Sequence, residues 1–216
     1  MLRLFLHIDE CRKEYHNNRY KCRNCVQNKK EHEMKTVEEF NNRIKRVLVS
    51  EEEIKEAIAR VGKEISDSYD GRPILLVSIL KGAFVFMADL CRAITVPCEI
   101  GFMAAKSYYS GTVSSGAVKV TMDLDQDISQ YHVIIVEDII DTGRTLNDVV
   151  KLLQARNPLS LKVVTLLDKP SRRVVDFKAD VALFTIPDHF VIGYGLDCGE
   201  YYRNLPYIAE YDEKGE

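Results

Sequence analysis

The stretch that decides the fold is VIIVEDIIDTGRTL, residues 133–146. Its four leading branched apolar residues are typical of a strand buried on both faces. Glu137 and Asp138 interrupt the run, which predicts that the strand ends there and that the two acids belong to a site. The turn DTGRT, 141–145, then precedes a helical pattern and offers backbone amides, a glycine for close approach and two hydroxyls. These are the groups that bind a phosphate at a helix N-terminus.

The acids distinguish this turn from the common phosphate-binding loops. A Walker loop needs a Gly-x4-Gly-Lys frame, which the stretch lacks, and here two carboxylates directly precede the phosphate turn. Carboxylates beside a phosphate site require hydroxyl groups or a metal ion between them. A sugar phosphate with a free diol, together with Mg²⁺, meets both requirements. The alternative interpretation, an ordinary polar strand end, does not account for the turn that follows.

Apolar runs of strand length alternate with helical patterns along the rest of the chain. Ser50 and Glu53 form a capping box before an amphipathic helix that ends near Gly71. Further strands are predicted at 73–80, 98–108, 117–124, 132–137 and 161–168, with helices at 83–94 and 145–155. Near-continuous Val/Ile/Leu strands separated by helices predict an α/β domain with a mainly parallel sheet covered by helices on both faces.

Composition and charge exclude several classes of protein. The 216 residues carry a formal net charge of −3, and residues 1–33 hold eight basic against five acidic side chains. The remainder is therefore close to −6, which argues against a nucleic-acid surface. The apolar runs fall short of the roughly 20 residues that cross a bilayer. The N-terminus makes a poor secretory signal, and the scattered cysteines suit reduced thiols, so we expect a cytoplasmic location.

Residues 1–33 read differently from the rest. They are rich in Asn, Lys, Arg, His and Cys and show no sustained period. Cys22 and Cys25 form a CxxC pair. With Cys11, His16 and His32 near by, they offer the ligand types of a small zinc site, but a single pair is a weak signal. The other interpretation is a poorly ordered or spurious extension with Met34 as the true start. We therefore predict an extension at 1–33 and one functional domain at 34–216.

Several segments of the sequence, including the one that decides the fold, resemble a known family. The stretch 133–146 resembles the phosphoribosyl-pyrophosphate motif of the type I phosphoribosyltransferases. Four further segments resemble the hypoxanthine-guanine phosphoribosyltransferases of bacterial type: LLVSILKGAFVFMADL, SYYSGTVSSG, VTLLDKPSRR and PDHFVIGYGLDCGEYYRNLPYI. The resemblance runs from about Val47 to Ile208. It implies the type I fold with a small C-terminal hood, and transfer of phosphoribose from phosphoribosyl pyrophosphate to hypoxanthine or guanine.

The resemblance also implies roles for individual residues. Glu137 and Asp138 would hold the ribose hydroxyls, directly or through Mg²⁺, Asp197 would bind a metal ion, and Asp141 would act as general base at nitrogen 7 of the purine. The remaining substrate-binding residues are implied in three groups. The 5-phosphate would be held by Asp141, Thr142, Gly143, Arg144 and Thr145; the purine by Lys169, Phe190 and Val191; and the pyrophosphate by Arg203, Lys81 and Gly82.

Three further expectations come with the family. It places a cis peptide between the residues that match Leu80 and Lys81. It closes a Gly- and Ser-rich loop, here 107–116, with the residues that match Ser107 and Tyr108, which would exclude water. It predicts a homodimer or homotetramer, although the tyrosines of the loop also fit a subunit contact. A different class, a regulator that senses phosphoribosyl pyrophosphate and binds nucleic acid, remains as the alternative and would require a basic face.

Overall fold

A computed structural model describes residues 36–107 and 118–213. Residues from Glu38 onward belong to one compact unit, which contains every strand discussed below. The helices are α1 (Val37–Asn41), α2 (Glu51–Tyr69), α3 (Phe84–Ala93) and α4 (Arg144–Gln154), with a 3₁₀ helix at Pro170–Arg172. The strands are β1 (Ile44–Val49), β2 (Ile74–Leu80), β3 (Cys98–Ser107), β4 (Val118–Met122), β5 (His132–Ile140), β6 (Ser160–Asp168), β7 (Val181–Thr185), β8 (Val191–Ile192) and β9 (Ile208–Tyr211).

A central sheet joins six strands of the described chain in the order β4-β3-β2-β5-β6-β7. The neighbours from β3 to β7 are parallel, and β4 lies antiparallel at the edge beside β3. This confirms the predicted mainly parallel α/β architecture. In such a sheet the carboxyl ends of the parallel strands meet at the same edge, where ligands bind.

Both faces of the sheet are covered, as the continuous apolar runs predict. Alternate residues of β2 and β5 enter opposite cores because successive side chains in a strand point to opposite faces. Ile74 and Leu76 pack with α2 and α3, whereas Leu75 and Val77 pack with α4. All four of these β2 side chains are fully buried.

The helix caps follow the sequence signals. Ser50 caps α2, since Glu53 N donates to Ser50 Oγ at 3.3 Å and Ser50 N donates to Glu53 Oε2 at 2.8 Å. The helix ends at Tyr69, where Asp70 and Gly71 adopt left-handed conformations. This confirms the predicted capping box and the predicted end near Gly71.

Two predictions need correction. The strand predicted to stop at Glu137 continues to Ile140, because Ile139 and Ile140 still pair with Leu167 and Asp168 of β6. The acids therefore lie within the last part of β5. The hood is a three-stranded antiparallel sheet in the order β1-β9-β8, so it also uses a strand from before α2 and is not built from the C-terminal segment alone.

Two absences concern the described residues alone. No helix among them is long and apolar enough to cross a membrane. Among these residues Cys91, Cys98 and Cys198 are free thiols. The Cys and His residues of the segment 1–33 lie outside the described residues.

Candidate active site

A cavity of about 280 Å³ lies at the carboxyl ends of β2 and β5. Such a volume is near the lower end of small-molecule sites. Four features line it: the end of β2 with the turn that follows, Ala105 of β3, the end of β5, and the phosphate turn that opens α4. The predicted residues in its lining are Lys81, Gly82, Glu137, Asp138, Asp141, Thr142, Gly143 and Thr145. Eight predicted site residues from distant parts of the chain therefore meet in one cavity.

The phosphate turn has the geometry that its composition predicts. Gly143 precedes α4 with φ of 78°, a left-handed conformation that favours glycine. A Cβ at this position would lie 3.0 Å from Cδ of Arg173 and 3.1 Å from Cγ2 of Val175. The glycine thus allows both the turn and the close packing behind it. Arg144, the first residue of the helix, is exposed.

Glu137 and Asp138 are two neighbouring acids with raised pKa values beside the turn. Burial, together with the neighbouring Asp138 carboxylate, raises the pKa of Glu137 well above its ordinary range. Burial also raises the pKa of Asp138 to about 6, although backbone hydrogen bonds and the Arg203 guanidinium act in the opposite direction. Glu137 Oε2 is buried and has no hydrogen-bond partner among the described residues. Buried carboxyls of this kind call for a cation or a hydroxyl donor.

The turn after β2 packs against the side chain of Asp138. The Leu80-Lys81 peptide bond is cis, as the resemblance implies. A Cβ on Gly82 would lie 1.6 Å from Asp138 Oδ2, so only glycine fits at this position without a shift of the backbone or of the acid. The carbonyl oxygen of Gly82 in turn lies close to Gly195, because a Cβ added to Gly195 would be 2.1 Å from that oxygen. Gly82 therefore packs closely against the Asp138 carboxylate on one side and against Gly195 on the other.

Asp197 and Arg203 lie on the side of the site formed by the segment after β8. Arg203 Nη2 lies 2.8 Å from Asp197 Oδ1 and 3.3 Å from Glu200 Oε2, while its Nη1 donates to the Gly195 carbonyl at 2.8 Å. Lys81 Nζ lies 2.9 Å from the same Glu200 oxygen. The two cations assigned to pyrophosphate thus share one exposed carboxylate. Arg203 Nε is buried without a partner among the described residues.

The residues assigned to the purine lie around the end of β6. The Lys169 side chain is buried at 7% exposure and its Nζ donates to the carbonyl oxygen of His189. The backbone N of Lys169 donates to Ile140 O at 3.0 Å, which places it next to the phosphate turn. Phe190 is 42% exposed and lies in a second groove beside Tyr211, with ring centroids 5.6 Å apart. Val191 is buried in β8.

Two neighbours of these residues, Arg172 and Asp188, were assigned no role from the sequence. Arg172 Nε donates to Asp141 Oδ1 at 3.1 Å, and Arg172 Nη1 lies 3.7 Å from Asp188 Oδ2. Both are charged residues in connecting segments, where no periodicity marks a side chain that turns toward a site. The structure places them beside the candidate base. Ser107 is the last residue of β3; its side chain, Tyr108 and the rest of the predicted loop through residue 116 lie outside the described residues.

No group of three or more His, Cys, Asp or Glu side chains that could hold a metal ion occurs among the described residues. This does not conflict with Mg²⁺, which keeps several waters and is usually bound through one or two carboxylates plus substrate phosphates. Glu137 and Asp138 provide two adjacent carboxyls whose pKa values are raised first by burial, so a bound cation would favour ionisation of the pair. The residues present therefore fit a cation that the substrate helps to bind.

Three features together define the class of the protein: the parallel sheet, the two adjacent acids near the end of β5, and the phosphate turn that follows them. The model of the phosphoribosyl transferase domain matches residues 48–198, and the chain belongs to this family. Among its relatives, the hypoxanthine-guanine phosphoribosyltransferase of Streptococcus pneumoniae strain R6 is 49% identical over 175 residues, 81% of this chain and 97% of that protein. The hypoxanthine phosphoribosyltransferase of Salmonella typhimurium strain LT2 is 50% identical over 166 residues, 76% of this chain and 93% of that protein.

Solved structures agree with these relatives. The crystal structure of a hypoxanthine phosphoribosyltransferase from Staphylococcus aureus has a TM-score of 0.77 and 45% identity, covering 83% of this chain and 96% of that chain. A structure of the hypoxanthine phosphoribosyl transferase of Trypanosoma cruzi has a TM-score of 0.74 and 45% identity, covering 78% of this chain and 91% of that chain. It concerns the role of the C-terminal region of that protein in its oligomeric state and enzymatic activity.

Proposed function

We propose that the chain is a purine-salvage enzyme, a hypoxanthine (guanine) phosphoribosyltransferase. It transfers the 5-phosphoribosyl group of phosphoribosyl pyrophosphate to hypoxanthine, and to guanine, forming IMP or GMP and releasing pyrophosphate. The observation that carries this conclusion is the meeting of the acid pair, the phosphate turn and the Lys81-Gly82 turn around one cavity, with Lys169 beside it. Relatives about half identical to the chain along nearly their full length bear the name of this activity.

The phosphate turn and the acid pair bind the two ends of the sugar. The 5-phosphate lies in the turn 141–145, where the N-terminus of α4 and two threonine hydroxyls favour an anion. Glu137 and Asp138 receive the ribose hydroxyls, directly or through Mg²⁺, since both residues line the same cavity. Mg²⁺, when bound, neutralises charge on the pyrophosphate and on the acids.

Lys81, Gly82 and Arg203 stabilise the departing pyrophosphate. Cleavage of the bond from the anomeric carbon to pyrophosphate leaves positive charge on the sugar and an electron pair on the leaving group. The side chains of Lys81 and Arg203 are cations on the pyrophosphate side, and Asp197 holds Arg203 at 2.8 Å. We also assign Asp197 a role in binding the metal ion. Its carboxylate has oxygen lone pairs that the pairing with Arg203 does not use.

The base is held between Lys169 and Asp141. Nitrogen 9 of the purine forms the new bond to the anomeric carbon, and the proton on nitrogen 7 passes to the Asp141 carboxylate. Lys169, buried next to the phosphate turn, donates to the 6-oxo oxygen, which excludes adenine. Phe190 covers one face of the ring, and the backbone of Val191 contacts its edge. Ser107 and Tyr108 belong to the loop that we propose closes over the site.

The enzyme is also proposed to assemble into a homodimer or homotetramer. Phe84, Phe102 and Met122 are 45%, 40% and 40% exposed and line one apolar groove. Contiguous exposed apolar side chains of this size mark interaction surfaces. The groove also contacts Lys81 and Arg203, so a second copy would lie next to the pyrophosphate side of the site. Light scattering of the purified protein measures the assembly directly.

A cytoplasmic location is proposed as well, and the free thiols of the described chain suit a reducing compartment. The nucleic-acid-binding regulator is not supported, because the relatives bear enzyme names and the chain beyond residue 33 is acidic.

The test is initial-rate nucleotide formation from phosphoribosyl pyrophosphate and Mg²⁺ with hypoxanthine, guanine, xanthine and adenine in parallel. The full chain and a chain that starts at Met34 are compared. Activity with hypoxanthine and guanine in both supports the proposal and the predicted boundary at residue 34. Absence of nucleotide with every base in both chains refutes it.

A further inference from the structure

Four side chains of alternating charge form a row beside the candidate base. Asp141 accepts from Arg172 Nε at 3.1 Å, Arg172 Nη1 lies 3.7 Å from Asp188 Oδ2, and Asp188 Oδ1 lies 3.9 Å from Lys169 Nζ. The two ends of the row are the side chains assigned to the purine. Asp141 is the candidate general base, and Lys169 is the donor to the 6-oxo oxygen. Arg172 is the cation that links them.

The segment that carries Arg172 is fixed against the phosphate turn by backbone contacts. Lys169 N donates to Ile140 O at 3.0 Å, and Val174 N donates to Thr142 O at 3.1 Å. These bonds lie on both sides of Arg172 in the sequence. The 3₁₀ helix at Pro170–Arg172 shortens the path between them. The backbone that carries the Arg172 guanidinium is therefore fixed relative to the phosphate turn.

The neighbouring Arg173 reinforces this attachment. It pairs with Asp168 at the end of β6, and its Cδ and Nη1 lie 3.0 and 3.1 Å from the position of a Cβ on Gly143. Residues 169–175 thus contact each residue from Ile140 to Gly143 in turn. Arg172 is the member of this segment that reaches the carboxylate of Asp141.

We propose that Arg172 is a positioning residue that acts through Asp141 and Asp188. This inference rests on the proposed function. The guanidinium orients the Asp141 carboxylate toward nitrogen 7 of the base. By pairing with Asp188 at the same time, it limits the attraction of Asp188 for the Lys169 ammonium, which the 6-oxo oxygen requires. Without Arg172, Asp141 loses the donor that orients it, and Asp188 draws Lys169 away from the base.

The exposure of the row sets the size of the effect. The side chains of Arg172, Asp141 and Asp188 are 50%, 43% and 52% exposed, so each pair is screened by solvent. A single pair of this kind changes an equilibrium by about fivefold at most. Loss of both pairs is expected to lower kcat/KM for hypoxanthine by about three- to tenfold. Binding of phosphoribosyl pyrophosphate is expected to stay within twofold, because the phosphate turn keeps its backbone contacts.

The experiment compares Arg172→Met, Arg172→Lys and the matched control Arg60→Met. Arg60 forms a similarly exposed pair with Glu64 on α2, 3.3 Å apart and remote from the cavity. Steady-state kinetics with hypoxanthine and equilibrium binding of phosphoribosyl pyrophosphate with Mg²⁺ are measured for each. A double-mutant cycle joins Arg172→Met with Asp141→Asn, whose residual activity is measured in single turnover at high enzyme concentration.

If Arg172 acts through Asp141, the loss caused by Arg172→Met shrinks to less than twofold in the Asp141→Asn background. Arg172→Lys, which keeps the charge, recovers at least half of the activity, and Arg60→Met has none of these effects. An equal loss in both backgrounds overturns the proposal, as does a loss confined to binding of phosphoribosyl pyrophosphate. An inactive wild-type chain has a different meaning, since it refutes the proposed function itself and this inference with it.

Discussion

Substitution of Asp138 by Asn is expected to stabilise the unliganded protein while it weakens substrate binding. The carboxylate is partly buried beside Glu137 and Asp197, and its pKa is raised from its ordinary value of 3.8 to about 6, first by burial. Asparagine keeps the oxygen that accepts from Ile139 N at 2.7 Å but cannot ionise. It therefore removes the cost of the charge and keeps the local hydrogen bond.

The magnitude follows from the change in pKa. At about 1.36 kcal/mol per pKa unit, a change from 3.8 to about 6 lowers the free energy of unfolding by about 3 kcal/mol once the group is ionised in both states. Because the pKa is raised in the folded state, this loss is absent well below pH 4 and grows as pH rises to about 6. At pH 8 it is complete, and at pH 5 it is about 1.5 kcal/mol. For a chain of this length, about 3 kcal/mol corresponds to a Tm increase of about 6 to 12 °C at pH 8.

Thermal unfolding of wild type and Asp138→Asn at pH 8 and pH 5, with and without phosphoribosyl pyrophosphate and Mg²⁺, measures this. The exposed Asp176→Asn serves as the control substitution. Ligand at a hundred times its Kd stabilises the wild type by about 2.7 kcal/mol, and most of this increase is expected to be lost in Asp138→Asn. A variant that is less stable than wild type at pH 8 without ligand, or a difference that does not shrink at pH 5, would show that the reasoning is wrong.

Three further predictions concern backbone space, the base and the helix cap. Gly82→Ala is expected to lower kcat/KM at least a hundredfold, because its Cβ would lie 1.6 Å from Asp138 Oδ2. The control is Gly71→Ala, which has open space around it. It is expected to lower the free energy of unfolding by about 1 kcal/mol and to leave kcat/KM unchanged. Both effects are read from kinetics and thermal unfolding. Lys169→Gln is expected to raise KM for hypoxanthine at least tenfold with KM for phosphoribosyl pyrophosphate within twofold; an increase confined to the latter contradicts the assignment. Ser50→Ala is expected to lower the free energy of unfolding by about 1 kcal/mol through loss of the cap, without a change in kcat, and a denaturant titration measures it.

Much of the fold was predictable because its signals are local. The capping box at Ser50, the apolar run 73–80 and the strand-turn-helix stretch at 133–146 each depend on neighbours a few residues away. Continuous apolar runs also predicted burial on both faces of the sheet. The end of β5 was not predictable in this way, because Glu137 and Asp138 look like a strand terminus until pairing with β6 holds Ile139 and Ile140 in the sheet.

The hood shows a similar limit of local signals. β1 and β9 are separated by more than 150 residues, and their pairing depends on long-range contacts that no local pattern records. The sequence alone pointed to the C-terminal segment, which contributes β8 and β9. The tertiary structure added β1, which pairs antiparallel with β9 from Ile44 to Val49.

By itself, then, the sequence determined the parallel α/β architecture and the chemical types at the site, since strand periodicity and the acid pair before a phosphate turn are properties of consecutive residues. Only the tertiary structure decided which charges face each other. It placed Arg172 of the segment after β6 against Asp141 of the segment after β5, and raised the pKa of Asp138 through burial. Charge pairing and burial depend on distances across the fold, and a one-dimensional pattern does not contain them.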